Sequence, residues 1–191
     1  VNDAEVTGGI WAEFLRKMKA LGVNDVMDIN STLGGQIDIR KTKNCYHVII
    51  LIKEFDGIKN LYKIITESHL KYLGRTPRIP KSLLTKYREG LIVGSACEAG
   101  ELYRAMVDGK NETELETIAS FYDYLEIQPL KNNAFMIREG IVKSEAELIE
   151  YNKRILAMAD KLGKLTVATC DTHFLDPEDE VYRRILMDSK G

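Results

Sequence analysis

Asp171 and His173 are the pair in this 191-residue chain best suited to holding a metal ion. They follow Leu165-Thr166-Val167-Ala168-Thr169, an apolar, β-branched run that predicts a strand, and they precede Asp176-Pro177-Glu178-Asp179. Side chains two apart on an extended chain share a face, so a carboxylate and an imidazole are presented together. In an α/β barrel, chemistry gathers at the C-terminal ends of the strands. The alternative is local: Asp171 caps a turn and His173 is a partly exposed polar residue. Asp-x-His is a short and common pattern, and spacing alone leaves both readings open.

Cys97 follows a second strand-like run, Leu91–Ser95 (LIVGS), so it too stands just past a strand's C-terminal end. As a thiolate it would serve as soft ligand or nucleophile; as a buried thiol it is a small apolar filler, the usual fate of a free cysteine. Glu98 beside it reads as a charge at a helix N-terminus. His47 begins its strand rather than ending it. In a purely parallel sheet it falls on the rim opposite Asp171, and it joins the site only if its strand is antiparallel or the preceding turn lies there; otherwise it is a packed core or edge residue. His69, inside a helix, reads as structural, and Asp3 as a first-turn helix charge. Arg75, Arg78 and Lys81, in the loop GRTPRIPK, could grip phosphate; the default for such a loop is solvation.

The elements that must position these residues follow from periodicity. A first helix over 3–21 carries Val6, Ile10, Phe14 and Met18 at a spacing of four, widened by Leu15 and Leu21, with Gly22 as its stop. A short polar-apolar pattern over 23–34 leads to Gly34-Gly35 and a polar, linker-like run to Asn44. Tyr46–Lys53 predicts a buried strand, and Ile58–Leu70 a helix with Ile58, Leu61, Ile65 and Leu70 or Tyr62 inward. Two prolines make 74–81 irregular. Ser82–Tyr87 predicts a short helix, Leu91–Ser95 a strand, Glu98–Val107 and Thr113–Phe121 helices, and Tyr122–Gln128 a strand. Ser144 caps a helix to Leu162, with Glu147 closing a capping box and Gly163 stopping it. Strand Leu165–Thr169 and a helix over 178–187 complete the order. The alternation indicates an α/β barrel or layered α/β sheet. Four strands are too few to close a barrel, which implies that part of the fold lies outside this chain.

Composition is that of a globular chain: 45% hydrophobic, 29% charged, four prolines and a formal net charge of −2. That balance advertises no nucleic-acid-binding surface in bulk. No apolar run approaches the roughly 20 residues that cross a bilayer. Cys45, Cys97 and Cys170 lack CxxC spacing, which argues against a disulfide framework and for a reducing compartment. The chain lacks an initiator Met and begins and ends within helical patterns. It reads as a piece of a longer polypeptide, or alternatively as a processed chain.

Four segments carry a resemblance: NLYKIITESHLKYL, RTPRIPKSLLTKYREGLIVGSACEAGELYRA, FYDYLEIQPL and ATCDTHFLDPEDEVYRRIL. They resemble the bacterial replicative DNA polymerase III alpha subunit of the PolC type, and within it the second half of its PHP (polymerase and histidinol phosphatase) domain, over 46–191. In that family an exonuclease interrupts the PHP domain. Residues 1–21 resemble the last helix of that ribonuclease H-like exonuclease, and Asp3 matches the metal-binding aspartate of a motif His-x-Ala-x-x-Asp, whose first residues would precede Val1. The resemblance implies an exonuclease tail over 1–35, a linker over 36–45, and a partial, distorted (β/α)7 PHP barrel over 46–191. His47, Cys97, Asp171 and His173 then fall on the later metal-ligand positions of the PHP site, and the earlier ones, a His-x-His and a glutamate, precede the exonuclease. It further implies Mg or Mn for polymerase and exonuclease, and Zn, Mn or Fe at the PHP site. Implied partners are DNA, deoxynucleoside triphosphates, a sliding clamp and other replisome subunits, in the cytoplasm and away from any membrane. The intact protein would be a proofreading DNA polymerase and this piece inactive alone. Two alternatives stand beside this: a free-standing PHP phosphoesterase, and a purely structural PHP scaffold.

Overall fold

A computed structural model describes residues 3–23 and 45–189, with side chains from residue 6 onward. All but the first residue of the short pattern at 23–34, the Gly34-Gly35 boundary and nearly all of the 36–45 linker fall outside the described residues, as does the side chain of Asp3. The helices are α1 (Asp3–Ala20), α2 (Phe55–Leu70), α3 (Lys81–Lys86), α4 (Glu101–Val107), α5 (Glu112–Ser120), α6 (Ala134–Arg138), α7 (Glu145–Leu162) and α8 (Glu180–Asp188). The strands are β1 (Ile49–Ile52), β2 (Leu91–Gly94), β3 (Tyr124–Ile127) and β4 (Leu165–Ala168). The result is an α/β fold with a small mixed sheet in the order β1-β2-β3-β4; β1 is antiparallel to β2, and the other two pairings are parallel.

Alternation along the strands divides the sheet into two unlike faces. On one face Val93 and Leu125 are fully buried, with Val48 and Ile50 beside them, under α2, α4, α5 and α7. Ile64, Leu102, Leu115, Met136, Leu148 and Ile155 complete that core; each contributes about 1.5–3 kcal/mol by leaving water. On the other face, Ile49, Leu51, Leu165 and Val167 are exposed and no described element covers them. Parallel strands are ordinarily buried on both sides.

Several local expectations change. α2 turns Gly57, Ile64 and Ser68 inward, and leaves Tyr62, Ile65 and Leu70 exposed. Its register is set by Gly57, whose backbone packs directly on Gly90 at the turn into β2. Ser144 is the N-cap of α7 but makes no side-chain cap bond; Glu147 instead accepts from the backbone N of Lys143 (2.7 Å) and from Tyr151 Oη (3.0 Å). The capping box forms at Asn111 and Glu114, which start α5. Gly163 does end α7, at φ 62, a left-handed conformation that costs glycine little. A 3-10 turn at Leu130–Asn133 and the short α6 fill a stretch where periodicity had predicted nothing. Among the described side chains of α1 only Met18 is buried; Val6, Ile10, Phe14 and Leu15 are exposed, as is Leu21 just beyond it.

Candidate metal centre

The antiparallel direction of β1 decides the position of His47. The pairings Ile49↔Gly94 through Ile52↔Leu91 place the chain before Ile49 beside the chain after Gly94. His47 therefore arrives at the rim where β2 ends, which meets the first of the two conditions set by its place in the sequence. Its backbone N donates to Ala99 O (3.0 Å), and its Nδ1 lies 3.5 Å from Cys97 Sγ.

Cys97 is held by a tight loop from Ser95 to Gly100. Ala96 turns the chain off β2 with φ 60, and Gly100 N closes the loop onto Cys97 O at 2.8 Å. Gly100 is required by space, since a Cβ there would collide with the carbonyl oxygen of Ser95. Burial pushes the Cys97 thiol up, so it stays protonated near neutral pH, and a metal binding there must displace that proton.

The end of β4 supplies Asp171 and His173. Thr169 N extends the ladder to Ile127 O (3.1 Å), and Asn132 Nδ2 donates to Cys170 O (2.9 Å). Asp171 then takes the left-handed conformation, φ 51. His173 Nδ1 lies 2.6 Å from Asp171 O. A carbonyl oxygen only accepts, so Nδ1 is the donor, and in the neutral ring the lone pair then lies on Nε2, where a metal could bind.

The open sheet face forms a cleft of about 870 Å³, and His47, Cys97, Glu126 and Asp171 line it. His47 and Cys97 touch, Asp171 shares their cleft, and His173 is an exposed neighbour whose ring is engaged with Asp171. Among the described residues no three His, Cys, Asp or Glu side chains converge closely enough to enclose an ion. The donors have the chemistry of a transition-metal site, with imidazole, thiol and carboxylate facing one space. The possible phosphate grips separate. Arg78 lines a smaller cleft of about 280 Å³ with His47 and Lys81, whereas Arg75 is exposed and lines neither cleft; Lys81 is paired with Glu101 at 2.5 Å.

Sequence reasoning passed over Glu126. It is 7% exposed, on the cleft face of β3, and its Oε1 accepts from Thr169 Oγ1 at 2.6 Å. The signal was present in Tyr124-Leu125-Glu126-Ile127-Gln128, where alternation puts a carboxylate and an amide on the face opposite Leu125 and Ile127.

Among the described residues no helix is long and apolar enough to cross a membrane. The chain is similar to the DNA polymerase III PolC-type of Clostridium perfringens, 53% identical over 192 residues that take in 100% of this chain and 13% of the relative. The corresponding protein of Caldanaerobacter subterraneus is 53% identical over 170 residues, covering 88% of this chain and 12% of the relative. That of Bacillus subtilis is 39% identical over 191 residues, covering 100% of this chain and 13% of the relative. This chain thus spans about an eighth of the length of these curated relatives. Residues 10–137 match the PHP domain family. That span takes in β1 to β3, the His47–Cys97 pair and Glu126, and the chain belongs to the PHP domain family.

Proposed function

We propose that this chain is part of a replicative, PolC-type DNA polymerase and supplies one side of a PHP metal centre, with His47, Cys97, Asp171 and His173 as ligands. The observation that carries the reading is the 3.5 Å contact between His47 and Cys97 on a cleft that Asp171 also lines. The remaining ligands come from elsewhere in the longer polypeptide, together with the strands that turn the open sheet face into the interior of a distorted (β/α)7 barrel. The exposure of Ile49, Leu51, Leu165 and Val167 supports that closure. A divalent Zn, Mn or Fe ion at the centre would brace the barrel and, if left an open position, polarise a phosphoester and its attacking water. Metal analysis of the full-length protein tests this. Each of His47→Ala, Cys97→Ala, Asp171→Ala and His173→Ala is expected to lose bound metal, and retention in all four overturns the reading.

In the same proposal α1 is the last helix of the proofreading exonuclease, residues 1–35 its tail and 36–45 the linker. The exposed Ile10, Trp11 and Phe14 give α1 an apolar stripe for that domain to cover. Asp3 would hold one of the Mg or Mn ions of 3′→5′ cleavage, and Asp3→Ala in the full-length protein should abolish proofreading while polymerisation persists. The intact enzyme would act on primed DNA with deoxynucleoside triphosphates beside a sliding clamp and other replisome subunits in the cytoplasm, and the piece alone would be inactive. Arg78 is the better placed of the two arginines to meet a phosphate, since its cleft also contains His47. A scaffold role for the PHP half is favoured by one observation, the exposed Tyr182, Ile185 and Leu186 on α8, which offer a second docking surface.

A further inference from the structure

We infer that Glu126 is a positioning residue for this centre, acting through Thr169 to set the end of β4 from which Asp171 and His173 emerge. The inference rests on the metal-centre reading above. Glu126, on β3, sits between the two ligand-bearing strand ends of β2 and β4. Its backbone N donates to Ser95 Oγ (2.9 Å), where the Cys97 loop begins, and its carboxylate accepts from Thr169 Oγ1 (2.6 Å), two residues before Asp171. Gln128 Nε2 spans the same pair, 3.4 Å from Glu126 Oε1 and 3.4 Å from Thr169 Oγ1. Glu126, Cys97, Gln128 and Asn133 also border a crevice beneath the cleft, and Asn133 Oδ1 is buried there without a hydrogen-bond partner.

A carboxylate taken out of water costs several kcal/mol unless a positive charge or a full set of donors compensates. Among the described residues Glu126 has two neutral side-chain donors and no cationic partner. The cleft it faces is lined by His47, Cys97 and Asp171, the donors assigned to a divalent cation. The cation supplies the missing positive charge, and Glu126 in return fixes the strand end that presents two of its ligands. Groups that orient metal ligands from behind are worth about 10–100-fold in affinity.

The test titrates metal-free, full-length protein with Co2+, read at the thiolate-to-Co2+ charge-transfer band assigned by its loss in Cys97→Ser. Glu126→Ala and Thr169→Val are each expected to weaken Co2+ binding about 10–100-fold. The double variant should be no weaker than the weaker single variant, because both cut one contact. Thr169→Ser, which keeps the hydroxyl, should restore binding, and Glu126→Gln should fall between Glu126→Ala and wild type. Melting of the metal-free protein should fall by less than that of the metal-loaded protein, which separates positioning from plain structural support. Glu126→Ala and Thr169→Val variants that bind Co2+ like wild type, beside a Cys97→Ser variant that does not, overturn this inference alone. So does a fall in metal-free melting as large as that of the loaded protein. Wild-type protein without a Cys97-dependent band overturns the metal-centre reading, and this inference with it.

Discussion

Gly100→Ala should unfasten the Cys97 rim through a single methyl group. Gly100 is the N-cap of α4, with φ −73 and ψ 158, a conformation open to any residue, so its constraint is one of space. A Cβ would overlap the carbonyl oxygen of Ser95 and lie 3.0 Å from that of Cys97. Both obstacles are backbone, and relief requires the loop to open by on the order of 1 Å. Overpacking of this kind costs about 1–3 kcal/mol, and the rigid obstacle puts it at the upper end. The movement also strains Gly100 N to Cys97 O (2.8 Å) and His47 N to Ala99 O (3.0 Å), bonds worth about 1 kcal/mol each. A loss of roughly 2–4 kcal/mol corresponds to a fall in melting temperature of about 5–15 °C for a domain of this size. The His47–Cys97 contact depends on the same loop, so bound metal should fall as well. Gly163→Ala is the control. Its Cβ meets no atom within 4 Å, and it sits before β4, at the rim away from Cys97, so only its left-handed φ of 62 is penalised, by about 1 kcal/mol. Thermal melting and metal content, measured on both variants in the full-length protein, separate the two effects. A Gly100→Ala protein that melts within about 2 °C of wild type and retains its metal would refute the argument.

Two further outcomes follow from the packing behind the cleft. Asp123 replaces a ladder bond at the start of β3: its Oδ2 accepts from Val93 N (2.7 Å) while Oδ1 meets Arg88 (3.0 Å), so Asp123→Ala should cost about 1.5–3 kcal/mol by chemical denaturation, and Asp123→Asn, which still accepts, clearly less. Burial pushes Tyr103 up to about 12 and also raises Tyr122, Tyr124 and Tyr151. Folded values above the unfolded value of about 10 mean that the native state holds these protons more tightly, so the stability is complete below about pH 10 and is lost as pH rises through the folded values. Denaturant midpoints measured from neutral pH upward should stay level and then fall in that window, and the share of the tyrosinate absorbance that belongs to these four buried rings should appear together with unfolding.

Strands and long helices were legible in the sequence because each carries its own period. LIVGS, YDYLEIQ and LTVAT, short, β-branched or aromatic and bounded by turn residues, read as strands and are β2, β3 and β4, and their ends fixed the rim at which Cys97 and Asp171 emerge. The direction of β1 was not legible. No periodicity encodes whether a strand runs parallel to its neighbour, and on that one sign depended whether His47 met Cys97 or lay across the sheet from it. In α2 Leu61 packs against the core as expected, but Tyr62, Ile65 and Leu70 were misjudged: they are more apolar than Gly57 and Ser68, yet the close approach of Gly57 to Gly90 turns the smaller residues inward. Ser144 left the capping box open because Glu147 is drawn to Lys143 N and Tyr151 instead. The resemblance to PolC-type proteins supplied the proposed ligand set; the residues alone left Asp-x-His and Cys97 with two readings each.

Both rim turns share a backbone feature that bears on how such a site holds its shape. Among the described residues Ala96 and Asp171 are the two non-glycine residues with positive φ, at 60 and 51. One directly precedes Cys97 and the other is itself a proposed ligand. Each conformation costs on the order of 1 kcal/mol and persists only where its surroundings over-determine it. At Ala96 the over-determination is the loop closed by Gly100 and anchored to His47 N through Ala99 O. At Asp171 it is the ladder bond of Thr169 to Ile127, the Asn132 bond to Cys170 O, and the Thr169 hydroxyl on Glu126. A strand run on without the turn would carry the next side chains along the sheet, whereas an abrupt left-handed residue swings them toward the cleft. In the proposed centre the strain is thus the geometric requirement for bringing the proposed ligands from separate strand ends to one space, and the buried polar contacts around Glu126 and Gly100 oppose its relaxation.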